Sequence, residues 1–458
     1  MPDRTDINIR NFYIFNSTLS SKEEEERNKI LFYYPPSIII DEQLKNVGFS
    51  EAILKFAQTF SPDKPCETIR TKKTRQFYLQ PEENFWMVMT LNLPAIKPKE
   101  IADEAEYLEH DVQDAVYLAA LKLAYDMAKM FVGTFSSSVE GKKTKQLKIK
   151  LEKFYFRYLT TLKINNLDIM ALFQGVQYLP LDPLRFLHIQ SSSNLLEAEF
   201  PEVESSIILY DNYLVWSGID YSEMQLISLY VRSLQESSHL DAESENLGRN
   251  SARTTNVCRF LTGPKNFLDE DASFESVPVI YLHSSESPTK YYLNVYEAIN
   301  FTVCMLINEK ERLTVELFKK LDKFLGDKLL SLSSKIKSVA PTFQSLQAPM
   351  EKFLYFNKLN LAVKTLTAQS KSSLSIPEEV MRVVTDIAVH NRRCCKLSAS
   401  AETVVKLMKL SDYWVVGKMS DDRECYFILQ AKNAALSYIH EEANKMCNLC
   451  LKSIFVHK

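Results

Sequence analysis

Runs of apolar residues separated by polar turns repeat one order of predicted elements three times along the chain. Short apolar runs indicate strands, and longer segments with apolar residues three or four positions apart indicate helices. The first pass has two strands, a helix, three strands and two long helices, at residues 12–16, 29–34, 42–60, 67–71, 75–80, 84–93, about 104–131 and 145–162. This order predicts a sheet covered by helices.

The second and third passes repeat this order with little sequence identity. The second begins with a hairpin, and Asp211 and Asn212 at its turn tolerate left-handed backbone conformations. Its predicted strands lie at 206–210, 214–218, 259–262, 277–283 and 291–295, and its helices at 221–234, 296–307 and 313–337. The third pass has strands at 353–356, 359–364, 404–410, 413–418 and 424–429, and helices at 377–390 and from 432 to about 453.

Two strands, a helix, three strands and a helix follow each other in a longin-type module. We therefore predict an α/β protein of three longin-type modules, each a five-stranded antiparallel sheet with helices on both faces. The run Phe-Trp-Met-Val-Met at 85–89 fits a sheet covered on both sides, because successive strand residues point to opposite faces. The predicted modules span 1–164, 205–337 and 349–458, with linkers at 165–204 and 338–348.

The composition agrees with a globular protein of several domains. The chain has 458 residues, of which 46% are hydrophobic and 25% charged, and domains usually contain about 100 to 200 residues. The formal net charge of -3 supplies no broad basic field, so we expect no nucleic-acid partner. A polar N-terminus, and no apolar run of about 18 residues, predict a protein that is made and kept in the cytosol.

No recognisable catalytic motif is present, and we expect neither a cofactor nor covalent catalysis. The segment Gly-Lys-Lys-Thr at 141–144 resembles part of a phosphate-binding loop, but seven residues separate Gly133 from Gly141 where such a loop has four. The CxxC pair at 447–450 lies on a predicted helix, whereas structural zinc sites bring two such pairs from turns. The eight dispersed cysteines are therefore predicted to be reduced thiols.

The predicted helix 42–60 has two apolar stripes on a helical wheel. The broader stripe is predicted to pack on the sheet of its own module, and it contains Phe49, Ala52, Ile53, Phe56, Ala57 and Phe60. The narrower stripe lies opposite and consists of Leu44, Val47 and Leu54, with Glu51 and Lys55 at its rim. Exposed aliphatic residues rimmed by polar ones are typical of a contact with another chain, and cover by a local loop is the alternative. We predict that these five residues contact a partner.

Basic residues cluster at two places in the first predicted module. Lys142, Lys143, Lys145 and Lys148, followed by Lys150 and Lys153, lie at the start of the helix predicted at 145–162. Arg70, Lys72, Lys73 and Arg75 surround a predicted hairpin turn. Such clusters are usually solvated faces. The alternative is contact with an anionic or phosphoinositide membrane surface, to which each nearby basic residue contributes about 1 kcal/mol.

Five stretches in all three predicted modules carry a family resemblance. They read Asn-Lys-Ile-Leu-Phe-Tyr-Tyr-Pro at 28–35, Thr-Phe-Ser-Pro at 59–62, Pro-Glu-Glu-Asn-Phe-Trp-Met-Val-Met at 81–89, Arg-Phe-Leu-Thr-Gly-Pro at 259–264 and Ser-Asp-Tyr-Trp-Val-Val-Gly at 411–417. In this order they resemble the Ccz family, vacuolar fusion proteins that pair with a Mon-family subunit. The resemblance covers nearly the whole chain.

The resemblance implies three longin domains, a heterodimer with the Mon-family subunit, and guanine-nucleotide exchange on a late-endosomal or lysosomal Rab GTPase in endosome maturation, autophagy and lysosomal fusion. In animals it also implies a third regulatory subunit. It further implies peripheral recruitment to late endosomes and lysosomes. Because the exchange surface of the family is shared between the first longin domains of both subunits, the helix at 42–60 is expected near the Rab.

An exchange factor needs no nucleophile. It binds the nucleotide-free GTPase more tightly than the loaded form, and reciprocity then lowers the affinity of the nucleotide by the same factor. Two other functions stay open. One is a longin-type Rab effector, or a tethering or coat adaptor, without exchange activity. The other is a hydrolase whose site is assembled from residues far apart in the sequence.

Overall fold

The computed structural model divides the chain into two compact units, Met1–Leu172 and Phe173–Lys458. It describes residues 4–451 apart from 21–22, 63, 97–104, 141–142, 246–257, 265–273, 275, 284–287, 337–351, 366–375, 397–399 and 408–412. The first unit contains one main antiparallel sheet, and the second contains two.

The first unit is built around a five-stranded sheet in the order β2-β1-β5-β4-β3. Its strands are β1 (Asn8–Asn16), β2 (Ile30–Tyr34), β3 (Thr68–Arg70), β4 (Thr74–Glu82) and β5 (Phe85–Asn92), followed by a small ribbon of β6 (Ala95–Ile96) and β7 (Glu106–Tyr107). Its helices are α1 (Ile40–Phe60), α2 (Asp114–Val132), α3 (Phe135–Glu140) and α4 (Thr144–Thr161), and α5 (Ile169–Phe173) spans the boundary of the two units.

Alternating strand residues of this sheet bury two separate cores. Ile14 and Met87 belong to the core that includes residues of α2 and α4. Tyr13 and Val88, their chain neighbours, belong to the core on the side of α1. Because strand side chains alternate between the faces, a sheet covered on both sides needs apolar residues at successive positions, as the run at 85–89 provides. Helices therefore cover both faces.

The second module has a six-stranded sheet in the order β10-β12-β13-β8-β9, with β11 also paired to β12. Its strands are β8 (Val203–Tyr210), β9 (Tyr213–Ser217), β10 (Arg259–Phe260), β11 (Val279–Leu282), β12 (Thr289–Ala298) and β13 (Phe301–Asn308), and its helices are α6 (Pro183–Glu199), α7 (Tyr221–Glu245) and α8 (Val315–Ile336). Asp211 and Asn212 have positive φ angles at the β8–β9 turn, as predicted.

Helices cover both faces of this second sheet as well. Tyr296 and Val303 point into the core that α6 and α8 close. Gln235 of α7 donates hydrogen bonds to Thr302 at 3.0 Å and to Glu297 at 3.3 Å. Since Thr302 and Glu297 adjoin Val303 and Tyr296 along their strands, they point to the opposite face. Helix α7 therefore lies across the sheet from α6 and α8.

The third module has a five-stranded sheet in the order β15-β14-β18-β17-β16. Its strands are β14 (Lys352–Asn357), β15 (Ala362–Thr365), β16 (Ser400–Lys406), β17 (Tyr413–Ser420) and β18 (Arg423–Gln430), and its helices are α9 (Glu378–Cys394) and α10 (Leu436–Leu451). Helix α9 packs closely on β17, where a Cβ atom at Gly417 would lie 2.4 Å from Ile387 Cγ2. Glycine permits this approach. Ile439 and Met446 of α10 close the core of the sheet that includes Val416.

The predicted architecture of three α/β modules with antiparallel sheets and helices on both faces is confirmed, although the second sheet has six strands instead of five. The helix predicted at 296–307 is wrong. These residues complete β12 and form most of β13, joined by a turn at Ile299, whose φ is 59°. Every residue from 301 to 306 is buried, and a continuous apolar run does not distinguish a buried strand from a buried helix.

The predicted linker 165–204 contains helix α6. Asp182 caps this helix by accepting a hydrogen bond from the backbone N–H of Arg185 at 3.1 Å, and Pro183 occupies its first turn. Ile189 and Leu196 of the helix lie in the second core. The predicted linker 338–348 lies outside the described residues. The limits of the three modules stay predictions.

Candidate interaction surface on the first module

Helix α1 packs on its sheet through Leu44, Val47 and Leu54, the narrower stripe that the sequence analysis predicted to face outward. Val47 is 3% exposed and Ser50 is fully buried. Leu44 and Leu54 are half-buried and pack against the same core as Val47. These four residues follow one another at helical spacings of three or four, so they share one face of α1. This face is the inner face of α1.

A network of hydroxyl groups fixes the rotation of α1 on the sheet. The hydroxyls of Ser50 and Tyr13 are hydrogen-bonded at 2.7 Å, and Tyr78 lies 3.4 Å from Ser50. Gln76 donates to the Tyr13 hydroxyl at 3.2 Å, and the Asn46 amide donates to Tyr33 at 2.7 Å. A buried hydroxyl without a partner costs about 1–3 kcal/mol, so the tyrosines under α1 favour Ser50 at its centre.

Burial also determines the ionisation of these phenols. It raises the pKa of Tyr78 to about 12, against a weaker opposing contribution from its hydrogen bond with Ser50. Burial likewise raises the pKa of Tyr13. Desolvation disfavours the phenolate because it is the charged form. Both side chains are therefore neutral hydroxyls at physiological pH and hold their hydrogen bonds across that range.

The outward side of α1 carries three exposed phenylalanines. Phe49 is 57% exposed, Phe56 is 67% exposed and Phe60 is 75% exposed. The rings of Phe56 and Phe60 meet edge to face, with centroids 5.0 Å apart. Lys45 and Ala52 lie on the same stripe and are also exposed. We call Phe49, Phe56 and Phe60 the outer aromatic face; exposed apolar clusters of this kind mark sites of protein contact.

The prediction of which stripe is core is therefore wrong for this helix. Phe49, Phe56 and Phe60 were expected inside, and Leu44, Val47 and Leu54 outside. A helical wheel gives both stripes the correct period, and only the tyrosine hydroxyls of the strands select the side that carries Ser50. The predicted partner contact of Leu44, Val47 and Leu54 stays a prediction, but Val47 has almost no surface left for one.

The two rim residues of that prediction differ in their surroundings. Glu51 is half-buried, and its carboxylate lies 3.1 Å from the ammonium group of Lys29. Lys55 is exposed to solvent. An ion pair inside the chain leaves Glu51 less available for a partner than Lys55. Their contact with a partner also stays a prediction.

The predicted basic cluster at 142–148 is only partly exposed. Lys143 and Lys145 are exposed, and Lys142 lies outside the described residues. Lys148 is half-buried, and its desolvation lowers its pKa. Ile149, on the same helix α4, is 66% exposed. A membrane would meet Lys143 and Lys145 more readily than Lys148.

Arginines of the second predicted basic cluster are engaged within the module. The guanidinium of Arg70 lies 2.6 Å from the Asp114 carboxylate, and that of Arg75 lies 3.2 Å from it. Arg75 is 2% exposed and also donates to the Glu109 carbonyl at 3.2 Å. Arg75 therefore stabilises the start of α2 from within, and it offers no charge to an external surface.

Across the described parts of the chain, no three His, Cys, Asp or Glu side chains gather in a way that could hold a metal ion. Within the same residues, no helix is long and apolar enough to cross a bilayer. The cysteines at 394 and 395 are free thiols on and just after α9, and Cys447 lies on α10.

Comparison with known proteins follows the three modules along the chain. Residues 9–133 match a family model described as the first longin domain of INTU, CCZ1 and HPS4. Residues 203–326 match a model described as Intu longin-like domain 2, and residues 347–446 match one described as Intu longin-like domain 3. The longin character of all three modules is thus confirmed.

Curated relatives match over almost the whole length. A vacuolar fusion protein CCZ1 homolog from Xenopus tropicalis is 37% identical over 464 residues, covering 98% of this chain and 97% of the relative. The chain belongs to the CCZ1 family. A family member from Nematostella vectensis is 36% identical over 99% of this chain and 98% of its own length, and one from Dictyostelium discoideum is 26% identical over 98% of both.

Membership confirms the resemblance carried by the five sequence stretches. The relatives from Xenopus tropicalis, Nematostella vectensis and Dictyostelium discoideum are each named a vacuolar fusion protein. In the sequence, apolar periodicity alone did not reveal the outer aromatic face. The only signal for it was a serine at the centre of a helical stripe, opposite strands with tyrosines at 13, 33 and 78.

Proposed function

We propose that this chain is one subunit of a guanine nucleotide exchange factor for a late-endosomal or lysosomal Rab GTPase, acting with a Mon-family longin subunit. The observation that carries the proposal is the outer aromatic face of α1, on the module that matches a first longin domain. Three phenylalanines, each more than half exposed, favour a surface that another chain covers.

The free energy that the outer aromatic face can contribute to binding favours a surface shared by two subunits. Burying a phenylalanine completely contributes about 1.5–3 kcal/mol. Phe56 and Phe60 are 67% and 75% exposed, so covering either ring contributes about 1–2 kcal/mol. Three such rings supply at most about 6 kcal/mol, before the entropic cost of association is subtracted.

An exchange factor must supply a comparable free energy in differential binding. Inverting a 1:99 ratio of nucleotide-free to loaded Rab requires about 5.5 kcal/mol. The outer aromatic face alone is too small to bind both a Mon-family subunit and the Rab with that margin. We therefore propose that α1 forms half of a composite surface, on which the rest of the free energy comes from the Mon-family partner.

The remaining parts of the proposal concern where the complex acts. We propose peripheral recruitment to late-endosomal and lysosomal membranes, with Lys143 and Lys145 near anionic or phosphoinositide headgroups, since both side chains are exposed. A third regulatory subunit completes the complex in animals. Endosome maturation, autophagy and lysosomal fusion are the processes that such an exchange activity would serve.

Release of labelled GDP from a late-endosomal Rab tests the proposal directly. The chain alone should accelerate release weakly, and the chain together with the Mon-family subunit should accelerate it strongly. Binding of the pair to nucleotide-free, GDP-bound and GTP-bound Rab separates the alternatives. Tightest binding to the nucleotide-free form supports the exchange factor. Preference for the GTP form, without faster GDP release, would establish an effector or adaptor instead.

A further inference from the structure

A short segment of the second unit joins the sheets of the second and third modules. Residues 173–179, which we call the clasp, run between β15 of the third sheet and β9 of the second. Both are edge strands, because each ends the strand order of its sheet. The clasp lies outside the stretches that match the family models of the second and third modules, 203–326 and 347–446.

The first residue of the clasp, Phe173, packs into the third module. We call the three side chains around it, Phe356, Tyr426 and Arg392, the Phe173 socket. Phe173 is 3% exposed. Its ring stacks on Phe356, with centroids 5.1 Å apart and planes inclined by 11°, and lies 5.9 Å from the ring of Tyr426. The guanidinium of Arg392 lies 5.2 Å from the Phe173 ring centroid, within the range of a cation–π contact.

A buried charge network holds this socket in place. Glu424 is fully buried. Its carboxylate accepts hydrogen bonds from Arg392 at 2.8 and 3.1 Å and from the Tyr426 hydroxyl at 2.8 Å. Lys358 completes the set at 3.4 Å. Glu424 thus orients Arg392 and Tyr426, two of the side chains that contact Phe173.

Backbone pairing continues the contact along β15. The N–H of Val176 donates to the Leu361 carbonyl at 2.7 Å, and the N–H of Val363 donates to the Val176 carbonyl at 2.9 Å. A Cβ atom at Gly175 would lie 2.1 Å from Val363 Cγ2. Only glycine fits there without a shift of the strand. This is recognition by strand addition, in which the backbone supplies the hydrogen bonds and the side chains supply selectivity.

The next residues pair with the second module. The N–H of Leu214 on β9 donates to the Gln177 carbonyl at 2.7 Å, and the N–H of Leu179 donates to the Leu214 carbonyl at 2.9 Å. Meanwhile the hydroxyl of Tyr178 reaches back and donates to the Asn360 carbonyl of the third module at 2.8 Å. One stretch of the chain therefore pairs with part of the edge of both sheets, where unpaired strands could otherwise pair with other chains.

We propose that the third module carries a groove for a peptide segment, formed by the Phe173 socket and the edge of β15, and that its ligand is the chain's own segment 173–176. Because residues 177–179 of the same segment pair with β9, occupancy of the groove couples the second and third modules into one unit. The ligand is defined chemically as an aromatic residue, followed two positions later by glycine and three positions later by a β-branched residue.

Hydrogen exchange in the full chain, followed by mass spectrometry, tests this coupling. Phe173→Ala empties the socket. If the groove holds the clasp, exchange should become at least about tenfold faster in segments containing Val363 and Leu214, although Leu214 is far from the socket in sequence. Exchange in strand β17 should stay unchanged. Acceleration confined to the segment with Val363 would overturn the coupling, and no acceleration in either segment would overturn the groove.

A second variant keeps the test informative if Phe173→Ala loosens the whole third module. Gly175→Ala places a methyl group against Val363, and we expect the same two segments to exchange faster. Adding Val363→Gly removes both Val363 atoms that lie closer than 3.0 Å to the added methyl group, Cγ2 at 2.1 Å and Cβ at 2.8 Å, and should restore part of the protection in both segments. Gly48→Ala is the matched control, because nothing lies within 4 Å of the added Cβ. Equal effects of Gly48→Ala and Gly175→Ala, or no recovery in the double variant, would refute the proposal.

Discussion

Replacing Phe60 by alanine should barely affect the folding of the chain and should weaken its assembly. Phe60 is 75% exposed, so truncation removes only the quarter of the side chain that is buried in the folded chain. This should lower the free energy of unfolding by about 0.5 kcal/mol. Val47, which is 3% exposed, should behave oppositely, and Val47→Ala should destabilise the chain by about 1–2 kcal/mol.

In a complex that covers the outer aromatic face, Phe60→Ala loses the contact of the remaining three-quarters of the ring. That corresponds to about 1–2 kcal/mol, or a dissociation constant about 5 to 30 times higher. Denaturant unfolding of the isolated chain measures the first effect, and titration against the Mon-family subunit and against nucleotide-free Rab measures the second. The reasoning fails if Phe60→Ala destabilises the chain as much as Val47→Ala, or if both affinities are unchanged.

Three further predictions concern stability. Ser50→Ala should lower the free energy of unfolding by about 1–2 kcal/mol, because Tyr13 and Tyr78 lose a buried partner; an unchanged denaturation midpoint would argue against the hydroxyl network. Glu424→Gln should lower the free energy of unfolding by about 3 kcal/mol, since it leaves Arg392 and Lys358 beside a neutral side chain. A decrease no larger than that caused by Glu378→Gln, an exposed control, would contradict this. Burial raises the pKa of Asp126 above its ordinary value of 3.8, so the folded state disfavours the carboxylate and loses stability as pH rises through 3.8 towards the raised pKa. Asp126→Asn should therefore raise the melting temperature at pH 7, with a gain that disappears below about pH 4, and a gain independent of pH would refute this.

The sequence predicts most elements of this fold, because local patterns determine them. The hairpin at Asp211 and Asn212 was predicted from turn chemistry, and both residues have positive φ angles. The segment 301–308 was not recognised as a strand, since its mostly apolar residues from 301 to 307 are buried on both faces of the sheet. What distinguishes it from a helix is its pairing on one side with β12, which precedes it directly in the sequence, and on the other side with β8, which is distant in the sequence.

The sequence analysis placed the core-facing stripe of α1 on the wrong side of the helix. Both apolar stripes of α1 have helical spacing, so local sequence does not decide between them. The choice depends on Ser50, whose hydroxyl meets tyrosines on β1 and β4. Such long-range hydrogen bonds leave no periodic signal. The clasp escaped prediction for the same reason, because Val176 and Ala362 pair across 186 positions of the sequence.

The most direct test of the account is GDP release from a late-endosomal Rab by the pair with the Mon-family subunit, with Phe56→Asp and Phe60→Asp combined in this chain. Placing two charges on the outer aromatic face should slow release about 30- to 900-fold, because each of the two lost rings costs about 1–2 kcal/mol of binding. Ile149→Asp is the matched control, an aliphatic residue 66% exposed on α4, and it should leave the rate unchanged. Release as fast with the double variant as with the unaltered chain would contradict the claim that α1 forms part of the exchange surface.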